Sequence, residues 1–547
     1  MGGRKREVIR LSNGFRKHRS TIDHLSTLTN IIETRKMNKK STFVSFIDFR
    51  KAYDTVNRGL MWEKLTHLGV SGKMYSNLKA IYDHVRCSVR INGHLTDWFD
   101  VNSGLKQGCL LSPILFNLFV NDLTLALESS GHGVDIDGTK VCVLQYADDI
   151  AIIAETQEQL QNMLNILHNW CNVNKMQVNL EKTNVVHYRN ISTVRTDFVF
   201  QLGNERIEIA SSYKYLGLVL DEFLNYEVTA KYVANSATRA LGLVITKDKL
   251  TGGLPYEVFT KLFDTIVWPT ISYGAAIWGT KDYSCINAVQ NRACRYFLGV
   301  GKYTPNNGVN GDMAWTPVGV KQWNCVLKLD IRLKHMDNSR LNKIVHQWMI
   351  SKRSSRCKNW SFRVLKQLEK YNIQENNENP VASLSNAMFN DYKNRWYDEV
   401  NSERGVSTTG RNKLRTYKMF KNTYSVEAYV KTVMPKCYRS ALAKFRCGVA
   451  PIRVETGRYE RLPLGERLCP LCNDDIETEL HIITSCHIYN DLRDQLYKRA
   501  REHSQNFDSF SNIQKMCFIL SSDQCVRVTA KTCWEILKRR RNLLYNT

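Results

Sequence analysis

An α+β fold followed by a mainly helical region is what this sequence predicts, and three patterns carry the prediction. Over residues 1–225, short apolar strand patterns alternate with amphipathic helix patterns. Over residues 226–300 the pattern is mostly helical. Further on, Cys469, Cys472, His481 and Cys486 form a C-x2-C-x8-H-x4-C cluster that marks a small module of its own.

The first strand pattern is Phe43-Val44-Ser45-Phe46-Ile47, and it ends in the carboxylate of Asp48. Lys51-Ala52-Tyr53-Asp54 then looks like a passage from strand to helix. Ser112-Pro113 opens another helix, with Ser as N-cap and Pro at the first helical position. Its apolar face is Leu115, Phe116, Phe119, Val120 and Leu123. Val141-Cys142-Val143-Leu144 and Ile150-Ala151-Ile152-Ile153 are two buried strands of a hairpin whose tip is Tyr146-Ala147-Asp148-Asp149. Thr156 and Gln159 make a capping-box pattern. Leu160, Met163, Leu164, Leu167 and Trp170 follow as a helical stripe that belongs to a core. Residues 301–460 are rich in Trp, Lys, Arg and Asn, and Glu375-Asn376-Asn377-Glu378-Asn379-Pro380 within them is a surface loop or linker. No repeat at solenoid periods occurs.

The hairpin tip carries the chemistry. Two adjacent anions in an apolar setting cost energy unless a cation neutralises them. A divalent ion suits them, because hard oxygen ligands hold Mg²⁺ together with a substrate phosphate. A solvated turn is the competing reading, since Asp is common in turns. Asp48, at the end of a separate strand pattern, supplies a second acidic site and favours the metal.

With 77 Lys and Arg against 52 Asp and Glu, the 547-residue chain carries a net charge of +25. That balance implies a polyanionic partner, nucleic acid by default. Apolar residues at 43% are ordinary for globular domains, and the length allows several of them. No uncharged apolar run is long enough for a membrane span. Met1-Gly2-Gly3-Arg4-Lys5-Arg6 has no apolar stretch behind its charges, so it is no secretory signal, and Arg6 does not fit a myristoylation site. Sixteen scattered cysteines suit reduced intracellular thiols rather than a disulfide frame.

Paired thiolates two apart, followed by one His and one Cys, can supply four tetrahedral ligands to Zn²⁺. Cys469, Cys472, His481 and Cys486 meet that pattern, with His487 as an alternative to His481. Four unrelated residues in a Cys-rich chain are the bland explanation.

Between the two acidic sites lies Ser103-Gly104-Leu105-Lys106-Gln107-Gly108-Cys109-Leu110-Leu111-Ser112-Pro113. Acidic strand, Gln-Gly turn and Tyr-Ala-Asp-Asp hairpin, in this order, resemble motifs A, B and C of the reverse transcriptases of non-LTR (LINE-type) retrotransposons. Asn179-Leu180-Glu181-Lys182-Thr183 matches the motif D position, and Tyr213-Lys214-Tyr215-Leu216-Gly217 the motif E position. Gly14-Phe15-Arg16-Lys17-His18-Arg19-Ser20-Thr21 resembles the family's segment before motif A. The zinc pattern also recurs after the polymerase in that family, and fits it better than the group II intron maturases that share the palm motifs.

The resemblance implies a right-hand polymerase. Residues 1–225 would hold a remnant of the fingers and the palm, 226–300 a helical thumb, 301–460 a mainly helical connecting region. A CCHC zinc module over 461–490 and a basic tail over 491–547 would follow. The implied activity is RNA-directed DNA polymerase, with an RNA template, a DNA primer and deoxynucleoside triphosphates as partners. Two Mg²⁺ ions would be bridged by Asp48 and Asp148, with Asp149 a weaker or outer ligand. Tyr53 would lie under the sugar and exclude a ribose 2′-hydroxyl, although a packed tyrosine is the plain alternative. Gln107 would contact nucleotide or template, and Gly108 would let backbone approach closely. Lys182 would protonate the leaving pyrophosphate, a role no better supported than that of a surface lysine. Tyr213, Lys214, Tyr215 and Leu216 would grip the primer end.

One departure stands out. Fingers strands that precede the Gly-Phe-Arg segment in the family, and an upstream endonuclease, have no counterpart here, and Arg4, Lys5, Arg6 and Arg10 do not reproduce them. An N-terminally truncated copy is therefore expected, inactive through truncation or not. A non-catalytic RNA-binding remnant is the alternative. Lys538-Arg539-Arg540-Arg541 fits a nuclear signal or a basic helix face on RNA, so nucleus and cytoplasm both stay open.

Overall fold

The computed structural model describes residues 14–374, 377–402 and 413–545. Arg4, Lys5, Arg6 and Arg10, and the Glu375-Asn376 start of the expected loop, lie outside the described residues. The chain divides into two compact units. The first comprises Met1–Thr229, Gly274–Thr280 and Val326–Asn372; the second comprises Ala230–Tyr273, Lys281–Cys325 and Ile373–Thr547.

A five-stranded sheet organises the first unit. Its strands are β1 (Thr42–Ile47), β2 (Val143–Tyr146), β3 (Asp149–Ala154), β4 (Asn184–Tyr188) and β5 (Glu208–Ile209), in the spatial order β5-β4-β1-β3-β2. All pairs are antiparallel except β4–β5. Every residue of β1 is buried, because helices cover both faces of the sheet. One face receives α1 (Thr21–Met37), and the other receives α3 (Gln157–Asn174), which follows α2 (Ser112–Phe119) in the chain. Leu160, Met163, Leu164 and Leu167 of α3 are fully buried, as their stripe predicts. Thr156 accepts the Gln159 amide, but Gln159 reaches back to Glu155 rather than to the cap, so only half of the capping box forms.

Ser112 is not the N-cap of α2. Leu111 holds that position, while the Ser112 hydroxyl donates to the Lys106 carbonyl at 2.6 Å and meets the Tyr82 hydroxyl at 3.0 Å. Tertiary partners have taken the hydroxyl that a cap would need. Lys51–Thr55 is a run of turns, and the next helix begins only at Arg58.

Helix α1 is buried along most of its length although it is rich in polar residues. Each charge has a partner, as buried charges require. Asp23 pairs with Arg332 and Arg340, Glu33 takes Arg363 at 2.8 Å and the Trp360 amide at 2.8 Å, and Arg35 pairs with Glu155 at 2.5 Å. These contacts draw 326–372 into the first unit, whereas the sequence grouped that stretch with the connecting region.

The second unit is built mainly from helices, among them α4 (Lys436–Arg446) and α5 (Val526–Tyr545), which pack together. Arg446 is buried within it against Asp312, with guanidinium–carboxylate contacts of 2.9 and 3.1 Å. The Tyr417 and Tyr429 hydroxyls donate to the same carboxylate at 2.9 and 2.7 Å. Among the described residues no helix is long and apolar enough to cross a membrane.

Candidate active site and metal centre

Antiparallel register brings the acidic sites together. Ile47 of β1 pairs with Ile150 of β3, so the next step along each strand sets Asp48 opposite Asp149. Tyr146 pairs with Asp149, which leaves Ala147-Asp148 as a two-residue turn. Ala147 sits there at φ 55°, a left-handed conformation that an L-residue adopts at a cost. The Gln145 amide donates to the Ala147 carbonyl at 3.1 Å and holds the turn from beneath. Asp48 is fixed through its backbone: its N–H donates to the Thr183 hydroxyl at 3.1 Å, and its carbonyl accepts the Asn179 N–H at 2.7 Å.

The electrostatics are those of crowded carboxylates. Burial, then the charges of Asp148 and Asp48, push Asp149 up to about 6. Burial and Asp48 also raise Asp148, against an opposing backbone hydrogen bond. A divalent cation would relieve the crowding that raises Asp148 and Asp149, although the three carboxylates are not among the groups whose ligand atoms all lie within 4.8 Å of one another.

Tyr53 lies beside this cluster, pushed up to about 12 by burial and then by Asp148. Its ring stacks on Phe116 at 4.8 Å, and its hydroxyl is buried without a hydrogen-bond partner. Gly108 has φ +83° and open space around a would-be Cβ. Gln107 is exposed, and its amide donates to Asp54 at 2.9 Å. Lys182 is exposed and forms no ion pair with the three carboxylates, although its buried neighbour Thr183 anchors Asp48.

The hairpin β6 (Ser212–Tyr215) and β7 (Leu218–Asp221) turns through Leu216 and Gly217, both at positive φ. Tyr213 stacks flat on Phe46 of β1 at 4.5 Å, and it too is raised, to about 12, by burial and then by Asp149 and Asp48. Lys214 points to the exposed side, and Tyr215 is buried. Its hydroxyl meets Nε2 of His24, a residue with no periodicity or motif to mark it in the sequence. Thr183 and Phe116 were visible in the motifs, but nothing there told what they support.

In the second unit, the ligand atoms of Cys469, Cys472, His481 and Cys486 lie within 4.8 Å of one another. Nδ1 of His481 is buried without a partner, while Nε2 lies 3.3 Å from Cys472 Sγ. Three sulfurs and an imidazole at this closeness fit tetrahedral Zn²⁺. His487 is exposed and bonds Asp474 at 3.2 Å; with Cys472 and Asp474 it forms a second grouping. Buried Arg493 braces the cluster by donating to the Ile482 and Cys486 carbonyls at 3.1 and 2.7 Å. Alongside runs a cleft of about 940 Å³ whose walls include Lys444, Trp534, Lys538 and Arg541.

Residues 7–220 match the reverse transcriptase (RNA-dependent DNA polymerase) family. The RNA-directed DNA polymerase from mobile element jockey of Drosophila melanogaster is 24% identical over 350 residues, 60% of this chain and 36% of that protein. A probable RNA-directed DNA polymerase from transposon BS of the same fly is 27% identical over 315 residues, 55% of this chain and 34% of that protein. The Pol polyprotein from type-1 retrotransposable element R2 of Popillia japonica is 26% identical over 219 residues, 39% of this chain and 31% of that protein. The chain thus spans about a third of the length of these relatives. A solved apo telomerase from Candida Tropicalis covers 39% of this chain and 40% of its own, at 16% identity and a TM-score of 0.29.

Proposed function

We propose that residues 7–220, which match the reverse transcriptase family and are similar to the polymerases of non-LTR retrotransposons, carry out RNA-directed DNA synthesis on the five-stranded sheet. The convergence of Asp48, Asp148 and Asp149 supports this reading most. The sheet with its covering helices is then the palm, and the helices after Thr229 provide the thumb. Asp48, Asp148 and Asp149 would hold divalent metal, which would supply charge neutralisation for phosphoryl transfer and activation of a primer hydroxyl.

Tyr53, backed by Phe116, presents bulk beneath the sugar of the incoming nucleotide and excludes a 2′-hydroxyl. Gly108 leaves room for backbone to approach the nucleotide, and Gln107 reaches it by exchanging its bond to Asp54. Tyr213 to Leu216 support the primer end, and Lys182 delivers a proton to pyrophosphate as it leaves. Cys469, Cys472, His481 and Cys486 hold one structural Zn²⁺. The basic cleft beside them contributes to holding RNA, in keeping with the net charge of +25.

The test is template choice. The purified chain is given a DNA primer annealed to RNA or to DNA, with Mg²⁺ and all four deoxynucleoside triphosphates. Extension on RNA supports the reading, and extension on neither template removes it.

A further inference from the structure

The carboxylates and the β6–β7 hairpin must keep a fixed spacing if a primer end held by one is to react at the other. Backbone bonding ties the open end of the β6–β7 hairpin to the sheet, where the Arg189 N–H donates to the Glu222 carbonyl at 3.0 Å, and leaves the turn end to side chains. The β6–β7 hairpin forms its own two-stranded sheet, with no strand pairing to the five-stranded sheet among the described residues. Flat stacking of Tyr213 on Phe46 gives attraction but little resistance to sliding.

His24 bridges the gap. It is fully buried on α1, and its Nε2 lies 2.6 Å from the hydroxyl of Tyr215, a member of the proposed primer grip. Its ring also meets the edge of Tyr146, at 5.9 Å between centroids, and Tyr146 is the residue just before the Ala147-Asp148 turn. The helix end that carries His24 is itself anchored. Ser20 and Asp23 form a full capping box, and Asp23 is paired with Arg332 and Arg340.

We propose that His24 is a positioning residue that locks the Asp148-bearing hairpin to the Tyr215-bearing hairpin, and thereby sets the distance from primer end to metal site. This rests on the polymerase reading for its consequence, but not for its geometry. A hydrogen bond from a rigid helix to a buried hydroxyl is directional, so it resists the sliding that stacking permits. A misplacement of about 1 Å between reacting groups costs on the order of 10²-fold in rate.

The experiment uses the full chain and the variants His24→Leu, His24→Gln and Tyr215→Phe, with two readouts. Amide hydrogen exchange should rise about tenfold or more at 144–151 and 213–217 in His24→Leu, while β1 stays protected. Tyr215→Phe, which removes one hydroxyl and keeps the ring, should do the same, and His24→Gln should return toward the parent. Primer extension in single turnovers should slow by about 10- to 100-fold in His24→Leu and Tyr215→Phe with nucleotide KM unchanged, and primer affinity should be unchanged in His24→Leu. Unchanged exchange at both hairpins, or a uniform rise across the unit, overturns the proposal. So does unchanged extension in both variants. A parent chain that extends no primer sinks the polymerase reading alone, and the exchange result still decides the role of His24.

Discussion

Gly14 lies so close to Ala147 that a Cβ at position 14 would stand 2.4 Å from the Ala147 backbone nitrogen. Asn117 of α2 holds it there, donating to the Gly14 carbonyl at 3.1 Å. The Gly-Phe-Arg segment therefore braces the turn that carries Asp148, at the point where Ala147 already has a left-handed backbone.

Gly14→Ala should force the turn outward. Overpacking of this kind costs about 1–3 kcal/mol, and here the strain falls on the carboxylates. The expected outcome is a loss of about tenfold or more in primer extension with the midpoint of urea unfolding only modestly lowered. Full activity in Gly14→Ala would show that the turn does not need this brace.

Tyr53→Val should admit ribonucleotides far better than the parent. The ring is fixed against Phe116, so shortening it opens space that nothing else in the cluster fills. Incorporation ratios for ribo- and deoxyribonucleotides measure this directly. An unchanged ratio would leave Tyr53 as a packing residue.

One Zn²⁺ per chain should co-purify and be lost from Cys469→Ser and Cys472→Ser. Structural zinc supplies folding energy in so small a module, so both variants should gain protease sensitivity around 465–490. Elemental analysis that finds a folded, zinc-free chain would contradict the assignment.

Acid should destabilise the first unit through two buried imidazoles. Burial pushes His24 down to about 3; burial, then Arg189 and Arg195, push His187 down to about 4. Both folded values lie below the ordinary value of about 6.5, so the unfolded chain binds the proton first. The stability they contribute is present above pH 6.5 and is lost as pH falls toward the folded values, by about 1.4 kcal/mol per pH unit for each imidazole. Unfolding midpoints between pH 6.5 and 4.5 should fall less steeply in His24→Gln than in the parent. Equal slopes would contradict a buried neutral His24.

What could be read from the sequence follows the physics of each element. The strands around Asp48, Asp148 and Asp149 are short apolar runs ending in carboxylates, and the structure forms two of them where expected; the first hairpin strand runs Val143–Tyr146 rather than Val141–Leu144, because Val141 pairs with Val134 in a separate two-stranded sheet. The stripe of α3 was equally plain, because one face is apolar. Helix α1 was opaque: its buried surface is polar, and its partners Arg332, Arg340 and Arg363 lie some three hundred residues away. His24 was invisible for the same reason, since its importance comes from Tyr146 and Tyr215 rather than from its neighbours in the chain. Ser112 shows the converse error, a good local cap signal overruled by bonds to Lys106 and Tyr82.

The most direct measurement is Mg²⁺-dependent primer extension on RNA by the parent, Asp48→Asn and Asp148→Asn, with RNA affinity followed in parallel. Each substitution removes metal-binding charge and almost no volume. Expected are extension by the parent, loss of at least about a thousandfold in both variants, and RNA affinity that stays within a few-fold and whose logarithm falls linearly with log salt in all three. Extension that survives in both variants would contradict a metal site at these carboxylates.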